Sequence, residues 1–278
     1  MRPRKIDRPA SVILALFIVS VVFWAVVIEP RRLEIRELRA VAPAGAPPVV
    51  AVISDLHLAG VGALERRVAE SLHRRRPDVI VLLGDIIDDR SDLPDLERFL
   101  ALLPPQETVA VLGNWEHLSG VDLKTLRQVY ARHGVRLLVN ECHRGFVGLD
   151  DHSAGVPDLR AAQALCPGAE RVMLLQHSPG FFETPTAEQD TFPLSVAGHT
   201  HGGQIALFRH ALWTPPGSGR FTAGEYPSAY GPLYVTRGVG TSLVPVRLGA
   251  RPEIVFVSFA GPDSRGQDQP ESGASETL

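Results

Sequence analysis

The chain has 278 residues, 45% of them hydrophobic and 21% charged, with a formal net charge of −3. This is the composition of a folded domain with short appendages, and the slight negative balance removes any electrostatic case for a nucleic-acid partner. Cys142 and Cys166 stand in neither a C-x-x-C nor a finger-like spacing, so neither a structural zinc site nor a disulfide framework is indicated. The pair could form one bridge or stay apart, and free thiols are expected.

Residues 11–28 are an uncharged apolar run. As a helix it spans about 27 Å, close to the hydrocarbon thickness of a bilayer. Trp24 suits an interfacial aromatic. The alternative is a cleaved signal peptide. Against it, the run exceeds a usual apolar signal core, charges follow at once from Glu29, and the Ala-x-Ala at residues 40–42 lies far downstream. A retained single-pass anchor in the cell (inner) membrane is expected, which makes the lipid bilayer a partner through residues 11–28. Arg2, Arg4, Lys5 and Arg8 on one side balance Arg31, Arg32, Arg36 and Arg39 on the other, so the positive-inside count leaves the face of the domain open. Residues 29–40 suggest a short basic helix on the headgroups, or a solvated linker helix. With Pro43, Gly45, Pro47 and Pro48 they complete a juxtamembrane linker over 29–48.

The folded domain is expected over 49–260. Its first strand, 49–53, is β-branched and exits into Ser54-Asp55-Leu56-His57. A helix over 62–76 has Leu64, Val68 and Leu72 on one face and stops at Pro77. A strand at 79–83 ends in Gly84-Asp85, with Asp88 and Asp89 in the loop beyond. A short helix follows at 94–103. The strand at 108–112 ends in Gly113-Asn114-Trp115-Glu116-His117, before a helix over 122–133. Alternating strands and helices imply an α/β domain with a largely parallel sheet, whose site lies beyond the carboxyl ends of the strands. The pattern then turns β-rich, with strands expected at 135–139, 145–149, 171–175, 194–197, 233–236 and 254–259. Residues 261–278 lack apolar periodicity and suggest a disordered tail.

Asp55, His57, Asp85, Asn114, His177, His199 and His201 each follow an expected strand. Singly, each has an ordinary explanation: a helix cap for the aspartates, a left-handed turn for Asn114, a satisfied core imidazole for His177. Together at strand exits they point to metal. The densest cluster is Gly198-His199-Thr200-His201-Gly202-Gly203-Gln204, where small residues let backbone and imidazoles crowd one point. Mixed Asp, His and Asn ligation suits Mn, Fe, Zn or Co, and a shared carboxylate can hold two such ions.

The ordered set D-x-H, G-D, G-N, H and G-H-x-H over about residues 49–259 resembles the calcineurin-like metallophosphoesterase family. The segment LYVTRGVGTSLVPVRLGARPEI, with GHTHGGQI, is similar to a narrower group of membrane-anchored bacterial phosphoesterases that act on UDP-2,3-diacylglucosamine. The resemblance implies a sandwich of two mixed sheets flanked by helices, behind the N-terminal transmembrane helix. It implies two divalent ions, one held by Asp55, His57 and His201 and the other by Asn114, His177 and His199, with Asp85 bridging. It further implies in-line attack by a bridging hydroxide on a phosphodiester or pyrophosphate of a lipid-like or nucleotide substrate. A cytosolic domain would be required for the UDP-linked lipid. The alternatives are a catalytically weak binding scaffold and a general nucleotide phosphodiesterase.

One departure stands out. Where the family usually carries a histidine that assists the leaving group, this chain has Trp115, whose indole is no acid at neutral pH. His117 and Glu116 are carried with Asp85 as catalytic candidates, and His152 is a further stand-in for the missing acid. Trp115 is expected against the substrate, as an apolar wall, or packed into its loop. Arg237 could pair with a substrate phosphate or make a structural salt bridge. Asp150 and Asp151 could orient a ligand histidine or be solvated. His73, His133, His143 and His210 are read as structural.

Overall fold

Val50, Val52 and their neighbours Ala51 and Ile53 are all buried although they point to opposite faces of one strand. A strand covered on both sides needs a layer on each, and the fold supplies them. The computed structural model describes residues 8–166, 171–183, 191–208 and 210–261. In chain order the strands are β1 (Glu34–Val41), β2 (Val49–Ile53), β3 (Val79–Leu82), β4 (Glu107–Ala110), β5 (Val135–Leu137), β6 (Glu141–His143), β7 (Phe146–Gly148), β8 (Met173–Leu175), β9 (Ser195–Ala197), β10 (Ala206–Leu207), β11 (His210–Ala211), β12 (Gly224–Ser228), β13 (Gly231–Val235) and β14 (Glu253–Ala260). The helices are α1 (Arg8–Phe23), α2 (Ala63–Arg75), α3 (Leu93–Leu100), α4 (Asn114–Leu118), α5 (Leu123–Arg132) and α6 (Leu159–Ala164).

Two six-stranded mixed sheets form the body, one ordered β1-β14-β2-β3-β4-β5 and the other β12-β13-β9-β8-β7-β6. The strands β2 to β5 run parallel, as do β7, β8, β9 and β13. Val50, Val52, Val79, Val81 and Val109 of the first sheet meet Phe146, Met173 and Val196 of the second between the layers. The alternate residues Ala51, Ile53, Ile80 and Leu82 pack outward against Val68, Leu72, Leu96, Phe99 and Leu126 of α2, α3 and α5. Leu159 and Ala162 of α6 cover the outer face of the second sheet with Phe181 and Phe182. The layered α/β architecture expected from the sequence is the one observed, and every strand expected in the domain is present within a few residues.

Three expectations are corrected. Residues 29–40 do not form a basic helix: β1 pairs in parallel along β14, from Glu34 opposite Glu253 to Val41 opposite Ala260. The charges read as a headgroup-facing helix belong to a sheet edge, where charged side chains discourage further strand pairing. The folded body therefore starts well before residue 49. Second, Cys142 and Cys166 are joined, with Cα atoms 5.8 Å apart, so β6 is tied to the end of α6; the partners are far apart in sequence and only the fold brings them together. Third, β6, β10, β11, β12, α4 and α6 answer to no expected element, because their short runs carry little apolar periodicity.

The apolar N-terminal segment is helical, α1 continuing through one π turn at Trp24–Ile28. The stretch Ser11–Arg31 contains an 18-residue window of mean hydropathy 2.9 and is long and apolar enough to cross a membrane. Arg2, Arg4 and Lys5, and the tail expected after Gly261, lie outside the described residues.

Candidate metal centre

The parallel strands end at one edge of the sandwich, and the ligand-type residues sit in the turns just past them: Asp55 and His57 after β2, Asp85 after β3, Asn114 after β4, His177 after β8, His199 and His201 after β9. These turns are unusual. Asp55, His57, Asp85, His199 and His201 have φ of 55°, 46°, 52°, 69° and 50°, the left-handed region that costs any residue bearing a Cβ. Strain repeated at five neighbouring ligand-type residues is a mark of a site held by its surroundings. Gly84 makes the approach possible: a Cβ there would lie 2.7 Å from His177 Nδ1.

The turns cross-brace one another. Asp55 Oδ1 accepts the His199 N–H at 2.9 Å, and Asp85 Oδ1 accepts the Trp115 N–H at 2.8 Å. Asp55 Oδ1 also lies 3.4 Å from His201 Nε2, while the other oxygen of Asp85 turns to His177. Three histidines are held from behind. His57 Nδ1 donates to Asp88 Oδ1 at 2.5 Å, His177 Nδ1 to the Leu83 carbonyl at 2.7 Å, and His199 Nε2 to the Pro216 carbonyl at 2.8 Å. A partner on one ring nitrogen fixes which nitrogen presents its lone pair to a metal. The fourth, His201, has the guanidinium of fully buried Arg247 3.3 Å from its Nδ1.

On the inner side the ligand atoms converge. His57 Nε2 and His201 Nε2 are 3.0 Å apart, and Asp55 Oδ1 is 3.4 Å from His201 Nε2. His177 Nε2 lies 3.0 Å from Asp85 Oδ2. Asn114 Oδ1 lies 2.7 Å from His199 Nδ1. Asp55, His57 and His201 could hold one ion and Asp85, His177 and His199 another, each triad having its atoms within 4.8 Å. Among the described residues, Asp55 Oδ2 and His177 Nε2 are buried without a hydrogen-bond partner. Such orphaned atoms are costly unless a further group, such as a cation, satisfies them. The donor set of carboxylate, imidazole and amide oxygen fits two divalent ions.

The electrostatics agree. Burial alone would lower the pKa of His177, but the carboxylates of Asp85 and Asp55 hold it well above the ordinary histidine value. Positive charge is welcome where the carboxylates meet. Burial, His57 and the Arg247 guanidinium push His201 well below that value, which keeps it as the neutral imidazole a metal requires. Burial and His177 lower His199 likewise.

The remaining candidates divide. Trp115 lines the cleft beside Asp85, Asn114 and His199, its ring edge-on to His57 at 6.1 Å. Glu116 does not face the cleft. Its buried carboxylate accepts the N–H groups of Gly113, Asp85 and Ile86 at 2.7, 2.9 and 2.6 Å, so it braces the ligand turns instead of reacting. His117 is turned to Asp150, at 2.7 Å, and is absent from the cleft lining. His152 is exposed and packs on Phe181. Arg237 pairs with Glu253 and Glu34 behind the histidine loop and is absent from the cleft lining, the salt bridge being one of its two expected roles. Asp151 is buried and accepts from Ser153, Ala154 and Ser178. Two side chains were missed altogether. Asp88 had only its place in a loop as a signal, and Arg247 had none.

Parallel strands delivering seven such side chains to one edge define a binuclear metallophosphoesterase. The chain belongs to the calcineurin-like phosphoesterase family, whose model matches residues 48–203. It is 29% identical over 224 residues to the uncharacterized metallophosphoesterase YkuE of Bacillus subtilis, covering 74% of this chain and 77% of that one. It is 27% identical over 233 residues to the phosphodiesterase YaeI of Escherichia coli, covering 77% and 83%. A Danio rerio transmembrane protein with metallophosphoesterase domain is 25% identical over 230 residues, covering 74% of this chain and 52% of that one.

Proposed function

We propose that this metallophosphoesterase hydrolyses a phosphodiester or pyrophosphate bond in a lipid-linked substrate while anchored in the cell membrane by residues 11–28. UDP-2,3-diacylglucosamine is the substrate suggested by the sequence resemblance. In this reading Asp55, His57 and His201 hold one divalent ion, Asn114, His177 and His199 the other, and Asp85 both. When bound, such ions supply Lewis acidity to the phosphoryl oxygens and lower the pKa of the attacking water. The chain's own part is to bring imidazole nitrogens and carboxylate oxygens together beside an apolar cleft wall.

The observation that carries the choice of bond is Trp115. It stands in the cleft at the place where a proton donor to the leaving group is expected, and its backbone N–H is committed to Asp85. An indole cannot protonate an alkoxide. A leaving group that departs as phosphate, or as the weakly basic oxyanion of an activated diester, needs no such proton. The name of the relative YaeI supports the phosphodiester side of this reading. The test is Trp115→His, with turnover of an alkyl monoester compared with that of pyrophosphate. The ratio is expected to shift toward the monoester, and an unchanged ratio removes the argument.

The Cys142–Cys166 bridge favours a second reading of the substrate. Disulfides persist on the oxidising side of a membrane, whereas the UDP-linked lipid calls for a cytosolic domain. The bridge supports a domain outside the cytoplasm acting on a lipid phosphoester without UDP. Accessibility of a reporter fused after Leu278, with a panel of UDP-diacylglucosamine, cyclic dinucleotides, a lipid phosphodiester and a phosphoprotein, separates the two.

A further inference from the structure

The cleft at the metal centre has two unlike ends. One is polar, made by Asp85, Asn114, His199 and His201; the other is apolar, walled by Ile205, Leu212, Trp213, Leu243 and Val244, in a space of about 470 Å³. The apolar wall does not stop inside. Leu243 is 78% exposed, Trp213 59%, and Phe208, on the neighbouring β10–β11 hairpin, 95%. A cluster of large apolar side chains facing solvent at the mouth of a site marks a surface that meets something apolar.

The position of the N-terminal helix says what that is. Its end is docked on the domain. The Arg247 N–H donates to the Ala25 carbonyl at 2.9 Å, and the Ala250 N–H donates to Glu29 Oε1 at 2.9 Å. Ala25 and Glu29 are buried, and Glu29 Oε2 also accepts the indole N–H of Trp24 at 2.7 Å. The docking segment is the same ribbon that carries the apolar rim. Val244 lies three residues before Arg247. Leu248 bridges to Ile205 of the cleft wall, its N–H donating to the Gln204 carbonyl at 2.8 Å. The exit of the apolar helix and the mouth of the cleft are thus fixed to each other through a few residues of main chain. Arg31 and Arg32 close the helix, Arg32 lying over the Trp24 ring at 5.3 Å, as suits a headgroup boundary.

We infer that residues 205–208, 210–213 and 242–244 rest on the bilayer and that the apolar end of the cleft takes an acyl chain of a membrane amphiphile, which enters sideways while its phosphoryl group reaches the metal end. This rests on the lipid-linked reading above and adds to it the residues that select the tail. The selection is made by Ile205, Leu212, Trp213, Leu243 and Val244, not by recognition of a nucleotide.

The test uses the full chain in bilayer nanodiscs loaded with manganese. Turnover is compared for two diesters with one leaving group, methyl p-nitrophenyl phosphate and dodecyl p-nitrophenyl phosphate. A preference for the dodecyl ester of at least about tenfold is expected in kcat/KM, falling toward unity in Leu243→Asp/Val244→Asp. Turnover of both esters without preference overturns the inference and leaves the hydrolase reading standing. A second readout needs no catalysis. In a chain carrying Trp24→Phe and Trp115→Phe, Trp213 emission is expected to be quenched by lipids brominated along the acyl chain. If neither ester is turned over but this quenching occurs, the hydrolase reading falls and the bilayer contact stands. Quenching by aqueous iodide alone overturns the inference, and protection from both quenchers overturns it in favour of a protein partner on that face.

Discussion

The two sheets bring ligands to the same centre by different means. The first sheet supplies Asp55, His57, Asp85 and Asn114, and steadies them with side chains: Asp88 behind His57 and Glu116 beneath the turns at residues 85 and 113. The second supplies His177, His199 and His201, and two of these are steadied by main-chain carbonyls, of Leu83 and Pro216. One half brings the negative charge, and braces His57 and the ligand turns with removable groups. The other half brings only imidazoles, two of which are oriented by groups no substitution deletes. Mutations behind the ligands should therefore bite hardest on the first half.

The largest effect is expected at the group both halves share. Asp85→Asn removes a carboxylate charge that burial opposes and that His177 and His57 stabilise. Hydrolysis of bis-p-nitrophenyl phosphate is expected to fall by at least about 10²-fold, with bound metal, measured by mass spectrometry, falling below two ions per chain. Full metal content with full turnover would leave the centre elsewhere.

Glu116 sharpens the contrast in stability instead of chemistry. Glu116→Ala leaves the N–H groups of Gly113, Asp85 and Ile86 without their acceptor. At about 1–3 kcal/mol for each buried unsatisfied donor, a loss of about 3 kcal/mol or more is expected in urea unfolding. Glu116→Gln, which keeps one acceptor oxygen, should recover part of it. A Gln variant that folds as the parent does and loses turnover would restore the catalytic role.

Asp88 is the milder version. Asp88→Ala frees the His57 ring to turn and is expected to cost about 10–100-fold in affinity for the ion held with Asp55 and His201. A metal-buffered titration measures this. An unchanged affinity would mean that the main chain alone orients that half too.

Much of this is legible in the sequence. The β-branched runs at β2 and β3 are buried on both faces, so their continuous apolarity survives in the sequence, and the ligands stand just past them because parallel strands end together. What lay outside the sequence pattern was of another kind. In β1, Glu34, Arg36, Glu37 and Arg39 imitate a polar helix because a sheet edge and a solvated helix face ask for the same residues. Asp88 and Arg247 act through contacts made only after folding. Arg247 reaches His201 across 46 positions, and no local spacing encodes that. The left-handed turns at Asp55, Asp85 and His199 are forced by the surrounding structure, since the residues themselves disfavour them. Glu116 neighbours Trp115 in sequence, yet its carboxylate accepts from the main chain of the ligand turns.

The smallest expected effect tests the candidate acid that sits outside the cleft. The hydrogen bond that His117 donates to Asp150 raises the His117 pKa, and His117 in turn holds Asp150 low against its burial. A raised histidine contributes stability that is fully present below its unfolded pKa and is lost as pH rises through its folded value. A lowered aspartate contributes stability that is present above its unfolded pKa and is lost as pH falls through its folded value. From the ordinary values of 6.5 and 3.8, the pair stabilises most between those two limits and fades on the alkaline side just above the first. With His117 partly exposed the contribution is expected to stay under about 1 kcal/mol. In Asp150→Asn the alkaline fading should vanish from urea unfolding, and the His117 proton resonance should titrate at lower pH than in the parent. If the midpoint moved instead on adding substrate while Asp150→Asn left it alone, His117 would belong to the reaction, and the division between a reacting centre and its bracing shell would have to be redrawn around α4.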